Sequence, residues 1–209
     1  MDLFNLTKNL KNRIKTSLVL FFILFLILIN NYFLGYCMIV IGVFSVIEFI
    51  RMILIIYKKS KVKQLLINLF FITYIFAFCS VLIIFSSFLH LKILFFLILI
   101  TCIGSDIGGY IFGKFFKGPK LTKLSPNKTI SGAVGSIIFS ATIIFFTLYY
   151  LTKSFDPYTI LIGIIVSISC QIGDLFFSFL KRKSKLEDTG SLLPGHGGIL
   201  DRIDGMLLG

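Results

Sequence analysis

Residues 16–47, TSLVLFFILFLILINNYFLGYCMIVIGVFSVI, decide the fold, because they carry no formal charge over 32 residues. As one helix this stretch would be about 48 Å long, whereas about 20 apolar residues suffice to cross the hydrocarbon of a bilayer. Basic residues flank it on both sides, so both flanks are expected on the cytoplasmic side and the stretch must cross the membrane twice. Asn30 and Asn31 stand near its centre, where a tight turn between two helices is predicted.

Two further uncharged blocks follow, residues 64–91 (apart from the neutral His90) and 129–152. Hydrophobic residues make up 57% of the chain and charged residues only 14%, which is outside the range of soluble globular proteins. The sequence therefore predicts an all-α polytopic transmembrane helical bundle with cytoplasmic active-site loops, built as a single integral-membrane domain over residues 1–209. The six predicted spans cover residues 13–29, 32–50, 64–85, 93–113, 130–151 and 158–180, and a cytoplasmic catalytic segment covers 181–209.

The net charge of +12 is concentrated in four clusters of basic residues. They are Lys8, Lys11, Arg13 and Lys15; Arg51, Lys58, Lys59, Lys61 and Lys63; Lys114, Lys117, Lys120, Lys123 and Lys128; and Lys181, Arg182, Lys183, Lys185 and Arg202. Clusters separated by two membrane crossings follow the positive-inside rule and predict that both termini are cytoplasmic. This distribution argues against a nucleic-acid partner, and the same cations favour anionic lipid headgroups.

The remaining compositional features concern the cysteines and the N-terminus. All four Cys residues lie inside apolar blocks without the spacing of metal ligands, so buried thiols are expected rather than a disulfide framework. The first apolar block lacks a small-residue cleavage site, and an uncleaved first span is expected instead of a signal peptide. High usage of Ile, Phe, Lys and Asn is typical of an AT-rich bacterial genome, so we expect a bacterial inner-membrane protein.

Carboxylates are few, nine in all, and some stand in apolar segments. Asp106 falls in the fourth predicted span and Asp174 in the sixth, where a charge costs several kcal/mol unless it reaches water or a partner. Two interpretations of Asp106 stay open, a functional group or a carboxylate that reaches the headgroups or a lysine. For Asp174, the neighbouring Gln171 and Gly173 favour a function. Glu48, near the end of the second span, stays unassigned.

The C-terminal segment combines a glycine-rich loop with two acidic residues. Asp201 and Asp204 would lie on one face of a helix at positions i and i+3, and two hard oxygen ligands suit Mg²⁺. The alternative for this pair is a surface ion pair with Arg202. The preceding PGHGG, residues 194–198, lets the backbone approach an anionic group closely. Within this loop, phosphate contact is favoured for His196 over a general-base role.

The loop LSPNKTI, residues 124–130, has the composition of an anion-binding loop. Ser125 and Thr129 can each donate a hydroxyl hydrogen, Lys128 supplies a point charge, and glycines follow at 132 and 135. Its glycine spacing is not that of a Walker A loop. The alternative is an ordinary basic cytoplasmic loop that caps the following helix.

Together these segments resemble the phosphatidate cytidylyltransferase family. Its C-terminal signature is similar to SFLKR at 178–182, DTG at 188–190, LPGHGGI at 193–199 and DRID at 201–204, a pattern 27 residues long. The loop SPNKT at 125–129 with Gly132, and Asp106 with Tyr110 and Gly113, resemble two further blocks of the family in the same order. The resemblance covers about residues 40–209, and a pattern anchored at so many places is highly specific.

The resemblance implies an enzyme that transfers CMP from CTP to phosphatidate, giving CDP-diacylglycerol and pyrophosphate. It implies Mg²⁺ as the cofactor, and CTP, phosphatidate and the lipid bilayer as partners, while a homodimer is left open. The catalytic residues implied are Asp174, Asp201 and Asp204, as the Mg²⁺ ligands, with Lys181, Arg182 and His196. The substrate-binding residues implied are Ser125, Asn127, Lys128, Thr129, Gly197, Gly198, Arg202 and Asp106. Of these, Ser125, Lys128 and Thr129 are expected on the triphosphate.

The chain departs from the family pattern at three places. Glu187 stands where the family usually has Lys, Ser131 stands where it usually has Glu, and only Gly205 to Gly209 follow the DRID element, where a further membrane segment is common. The alternatives are a catalytically impaired, truncated family member, a CTP-dependent lipid-alcohol kinase, or a related CDP-lipid synthase. The acidic run of CDP-alcohol phosphotransferases is absent from the sequence. A transporter or channel would leave the PGHGG and DRID segments without a role.

Overall fold

The computed structural model describes residues 3–122, 125, 128–192 and 197–209, with only the backbone of residues 3–14. Six long helices are followed by one short helix: α1 Leu3–Ile29, α2 Asn31–Ile56, α3 Lys61–Ser86, α4 Leu89–Phe116, α5 Ile130–Thr152, α6 Tyr158–Ser184 and α7 Leu200–Ile203. Each predicted span lies inside one of the long helices. The described residues contain no β-strand beyond an isolated bridge between Lys120 and Thr129, so the all-α prediction is confirmed.

Five helices, α2 to α6, are long and apolar enough to cross a membrane, and α1 has a shorter apolar part at Lys15–Ile29. Large apolar side chains on these helices are exposed, including Phe70 at 74% and Phe76 at 75%. Such continuous apolar surface is stable against lipid rather than water. The chain is therefore a multi-pass membrane protein.

The described chain divides into two compact units, and the prediction of a single domain over residues 1–209 stays a prediction. The first unit holds α1, α2, α3 and Lys181–Arg202. Asn30 interrupts the apolar stretch where the turn was predicted, since its side chain accepts hydrogen bonds from the backbone N–H of Tyr32 and Phe33 and caps α2. Stacked rings of Phe49 and Phe71, 3.7 Å between centroids, join α2 to α3.

The second unit holds α4, α5, α6 up to Leu180, and Ile203–Gly209. Its helices approach closely where small residues face one another: a Cβ added at Gly108 of α4 would lie 2.6 Å from the carbonyl oxygen of Gly135 in α5. The hydroxyls of Ser105 and Ser167 lie 3.0 Å apart and join α4 to α6. Small residues and interhelical hydroxyls are the usual means of holding helices together in lipid. This packing holds α4, which carries Asp106, and α6, which carries Asp174, together with α5.

Candidate active site

A cavity of about 230 Å³ lies in the second unit, among α4, α5, α6 and the loop before α5. Its lining consists of Asp106, Gly109, Tyr110, Leu121, Lys128, Thr129, Gly132, Ala133, Ser136, Gln171 and Asp174. Two carboxylates and an ammonium group thus meet between helices that are otherwise apolar. Ionisable groups in such a place mark a binding or catalytic site.

An ion pair between Lys128 and Asp174 crosses this cavity. The Lys128 Nζ donates to Asp174 Oδ2 at 2.7 Å, and their side chains are 32% and 22% exposed. The pair brings together two residues that the resemblance placed on different ligands, Lys128 on the triphosphate and Asp174 on the metal. Because solvent reaches both groups, an incoming phosphate can compete for the lysine and a cation for the carboxylate.

The loop that carries Lys128 is held by its own backbone. The N–H of Leu121 donates to the carbonyl of Lys128 at 2.8 Å, and the N–H of Ile130 donates to the carbonyl of Pro119 at 2.9 Å. Thr129 caps α5, because its Oγ1 accepts from the N–H of Gly132 at 3.1 Å. The capping alternative for this loop is therefore correct for Thr129, which also lines the cavity.

Two other predicted residues of this loop are not placed in the cavity. The carbonyl of Ser125 accepts from the N–H of Lys128 at 3.1 Å, but Ser125 is not among the described residues that line the cavity. Asn127 lies outside the described residues. The predicted contact of Ser125 with the triphosphate and the predicted role of Asn127 in substrate binding stay predictions.

The Asp174 region also contacts the segment that follows α7. A Cβ added at Gly173 would lie 2.5 Å from the carbonyl oxygen of Asp204, and one added at Gly205 would lie 2.8 Å from Asp174 Oδ1. The Asp204 side chain accepts from the N–H of Gly205 at 3.0 Å. Asp204 directly follows α7, which ends at Ile203, so the predicted helical i, i+3 arrangement with Asp201 does not extend to Asp204.

In the first unit, Asp201 is surrounded by donors and its side chain is only 5% exposed. Lys181 Nζ donates to Oδ1 at 2.8 Å, while the Thr189 N–H at 2.8 Å, the Thr189 hydroxyl at 3.0 Å and the Gly198 N–H at 3.0 Å surround Oδ2. Burial raises the pKa of the Asp201 carboxyl, but the hydrogen bonds from Lys181, Thr189 and Gly198 outweigh it and hold the pKa below its ordinary value. Asp201 is therefore an ionised carboxylate with both oxygens in use.

A second buried carboxylate in this unit, Glu48, received no role from the sequence. It accepts hydrogen bonds from the Thr189 hydroxyl at 2.8 Å, the Ile199 N–H at 3.1 Å and the Leu200 N–H at 2.9 Å. The signal for Glu48 was a carboxylate in an apolar run, and Thr189 stood in the DTG motif without a role. Tyr110, Ser136 and Gln171 were not counted among the site residues either, although all three line the cavity of the second unit.

The other predicted residues of the C-terminal segment are placed as follows. Gly197 has φ of 83°, a conformation that favours glycine, and Arg182 and Arg202 are exposed. His196 lies outside the described residues.

The predicted metal ligands are divided between the two units. Asp201 belongs to the first unit and Asp174 and Asp204 to the second, so a shared metal ion stays a prediction. Within the described part of the chain, no group of three or more His, Cys, Asp or Glu side chains is arranged to hold a metal ion.

Known proteins match this chain in two comparisons, one with a family model and one with individual relatives. The sequence model of the Cytidylyltransferase family matches residues 2–209. The chain is 38% identical over 113 residues to a phosphatidate cytidylyltransferase of Mycobacterium leprae, covering 54% of this chain and 36% of that protein. The match to the one of Helicobacter pylori is also 38% over 113 residues, covering 54% and 42%. For Staphylococcus haemolyticus it is 42% over 105 residues, covering 49% and 40%. These matches cover less than half the length of each relative.

Proposed function

Because the chain belongs to the cytidylyltransferase family, we propose that it transfers CMP from CTP to phosphatidate and releases pyrophosphate. The relatives are phosphatidate cytidylyltransferases. The observation that carries the proposal is the cavity of the second unit, where Lys128, Asp106 and Asp174 meet between membrane helices. A cavity that holds charged side chains beside lipid-facing surface suits a substrate whose headgroup is anionic and whose tails stay in the bilayer.

The proposed reaction needs no covalent protein nucleophile. A phosphate oxygen of phosphatidate, already ionised, forms a bond to the α-phosphorus of CTP. The bond from that phosphorus to the oxygen that bridges the α- and β-phosphates breaks, and pyrophosphate leaves with the electron pair. Two polyanions must meet, so the main task of the protein is to neutralise and orient them. In this proposal Lys128, Ser125 and Thr129 bind the triphosphate, and Asn127 is a further substrate-binding residue.

The basic residues of the C-terminal segment would contact phosphate of either substrate. They are Lys181, Arg182, His196 and Arg202. Gly197 and Gly198 would let the backbone of the loop approach the same groups. In the described structure Lys181 donates one hydrogen bond to Asp201, and an ammonium group has further N–H donors with which it can contact a phosphate.

The oxygen ligands of the second unit fit Mg²⁺, which usually takes one or two carboxylates and completes its shell with water and phosphate oxygens. Asp174 and Asp106 supply hard oxygens to one cavity, and Asp204 contacts Gly173 beside it. Asp201 is kept as a third proposed ligand; its Oδ1 accepts one hydrogen bond, from Lys181, and a carboxylate oxygen has a second lone pair for a cation. When bound, Mg²⁺ would reduce the repulsion between the substrates and stabilise the charge on pyrophosphate.

We further propose a bacterial inner-membrane location with both termini in the cytoplasm. The support is the placement of the basic clusters at the ends of successive spans and the bacterial origin of the relatives. In this orientation the cavity lies at the cytoplasmic face, where CTP is available. The homodimer stays a prediction.

The proposed reaction is tested with membranes that contain the full chain, given phosphatidate, Mg²⁺ and CTP labelled on its α-phosphate. A labelled lipid that runs with CDP-diacylglycerol is expected, and both a chelator and the variant Asp174→Asn should remove it. A parallel reaction with CTP labelled on its γ-phosphate and a lipid alcohol tests the kinase alternative. Lipid labelled only in the γ-phosphate reaction would overturn the proposal, as would no labelled lipid in either.

A further inference from the structure

Glu48 is a membrane-helix carboxylate whose two oxygens both bind the C-terminal loop. It lies in α2, is 7% exposed, and lies 141 residues before the first of its partners, Thr189. Oε1 accepts from the N–H of Ile199, while Oε2 accepts from the N–H of Leu200 and from the hydroxyl of Thr189. Three donors from the loop thus meet one side chain within the first unit.

The arrangement of these donors requires a carboxylate. Each oxygen of Glu48 faces at least one N–H group, and an ionised carboxylate is the side chain that offers only acceptors. An amide in its place would turn an NH₂ group towards one of the loop donors and leave that donor without an acceptor. Burial of a charged group is tolerated when it is compensated in this way.

Two glycines allow the loop to approach Glu48 this closely. A Cβ at Gly190 would overlap Oε1, and a Cβ at Gly198 would overlap Oε2 and the hydroxyl of Thr189. The chain therefore wraps around the carboxylate at backbone distance, which only residues without a side chain permit. Glycine at both positions fits a binding place built for the Glu48 carboxylate rather than an incidental contact.

The same loop donors connect Glu48 to Asp201. The Thr189 hydroxyl lies 2.8 Å from Glu48 Oε2 and 3.0 Å from Asp201 Oδ2. The residue before Asp201 donates its N–H to Glu48, and Gly198, which packs on Glu48, donates its N–H to Asp201. Displacement of Glu48 would break these contacts, and the Asp201 carboxylate would no longer be held in its present orientation.

We propose that Glu48 is a positioning residue that fixes residues 197–200 and, through Thr189, the Asp201 carboxylate. It acts through the loop and touches neither substrate nor the reacting atoms. The inference rests on the proposed function, because Asp201 is a catalytic residue only if the chain is a cytidylyltransferase. It deepens that function by giving a role to a residue far from the C-terminal signature in sequence.

The kinetic test compares Glu48→Gln and Glu48→Asp with a matched control, Ser45→Ala. Ser45 lies one turn earlier in α2, is fully buried, and donates only to the Ile41 carbonyl of its own helix. Groups that orient a metal ligand or catalytic residue are typically worth about 10–100-fold. Glu48→Gln should therefore lower kcat by about that factor and raise the Mg²⁺ needed for half-maximal rate, with KM for CTP changed less than about threefold. Glu48→Asp should recover part of kcat because it keeps the charge, and Ser45→Ala should match the wild type.

The structural test measures amide hydrogen exchange of the peptide that covers residues 189–200 in the detergent-solubilised full chain. Exchange at Ile199 and Leu200 should be faster in Glu48→Gln than in the wild type and unchanged in Ser45→Ala. Helical content and thermal unfolding of all variants identify any that fail to fold, in which case Glu48→Asp carries the comparison.

The two tests separate the possible failures. If the wild type is inactive but exchange is faster in Glu48→Gln, the cytidylyltransferase proposal is refuted. The role of Glu48 in holding residues 197–200 is then still supported. Unchanged exchange would overturn the role of Glu48 whatever the activity, and so would faster exchange with wild-type kcat and Mg²⁺ dependence.

Discussion

Replacement of Lys128 by Met tests whether the cavity of the second unit binds nucleotide phosphate, because Met keeps most of the side chain and removes only the charge. In the structure the ammonium group lies 2.7 Å from Asp174 Oδ2, and about a third of the lysine side chain is exposed. Ion pairs reached by solvent contribute at most about 1 kcal/mol to stability. For a chain of this size, the variant should therefore unfold only about 2–4 °C below the wild type.

The expected loss of activity is much larger. A preorganised donor aimed at charge that develops in the transition state is worth about 3–4 kcal/mol, or roughly 10²–10³ in kcat. If Lys128 contacts the triphosphate, kcat/KM for CTP should fall by that factor at saturating phosphatidate and Mg²⁺, while Lys128→Arg should keep part of the rate. The gap between the two free energies, about 2–3 kcal/mol, separates a catalytic lysine from a structural one.

The double variant Lys128→Met/Asp174→Asn distinguishes the two roles further. It removes both charges of the pair, so neither an unpaired carboxylate nor an unpaired ammonium is left behind. Were the pair only structural, the double variant would regain wild-type stability and come within about threefold of the wild-type rate, a coupling that double-mutant cycles detect. That recovery, or a Lys128→Met variant with wild-type kcat/KM, would refute the reasoning.

Three further substitutions follow from the geometry. Asp201→Asn should lower turnover by about 10³-fold, the scale of losing one charged active-site group, yet leave the chain in the membrane fraction; near-normal turnover would remove Asp201 from the site. Thr189→Val removes a hydroxyl shared by two carboxylates and should cost about 10–100-fold in kcat, whereas Thr189→Ser should stay near the wild type; equal rates for both would contradict this. Gly108→Ala places a Cβ against the backbone of α5 and should destabilise the chain by about 1–3 kcal/mol. Thermal unfolding measures this loss against the control Gly35→Ala, whose Cβ meets nothing within 4 Å. Equal melting temperatures of the two variants would contradict the close packing.

The helices could be predicted from the sequence because each one is a continuous apolar run. Their ends extend past the predicted spans where the helix continues outside the apolar segment. The sixth predicted span stops at 180, but α6 reaches Ser184, since Lys181, Arg182 and Lys183 in its last turn interact favourably with the carboxyl end of the helix dipole. Hydropathy reports the lipid-facing part of a helix and not the turns beyond it.

Motifs predicted which residues matter but not the partners of each. Lys128 and Asp174 are 46 residues apart, and Glu48 lies 151 residues before Ile199. Nothing local to either segment encodes such pairings, because they depend on how the helices pack. Glu48 was missed for this reason: its surroundings in sequence are apolar, and its donors come from the far end of the chain.

Two carboxylate–lysine pairs within the described residues, Asp174 with Lys128 and Asp201 with Lys181, differ in how readily a ligand can replace one partner. Asp174 accepts a hydrogen bond from Lys128, and their side chains are 22% and 32% exposed, so a solvated cation or phosphate can replace either partner. Asp201 and Lys181 are 5% and 18% exposed, and Oδ2 of Asp201 is held by Thr189 and Gly198. Displacing Lys181 exposes only Oδ1, while Oδ2 still holds the loop. The Lys128–Asp174 pair is therefore suited to exchange ligands during turnover, and the Lys181–Asp201 pair is suited to stay closed while Asp201 Oδ2 holds Thr189 and Gly198.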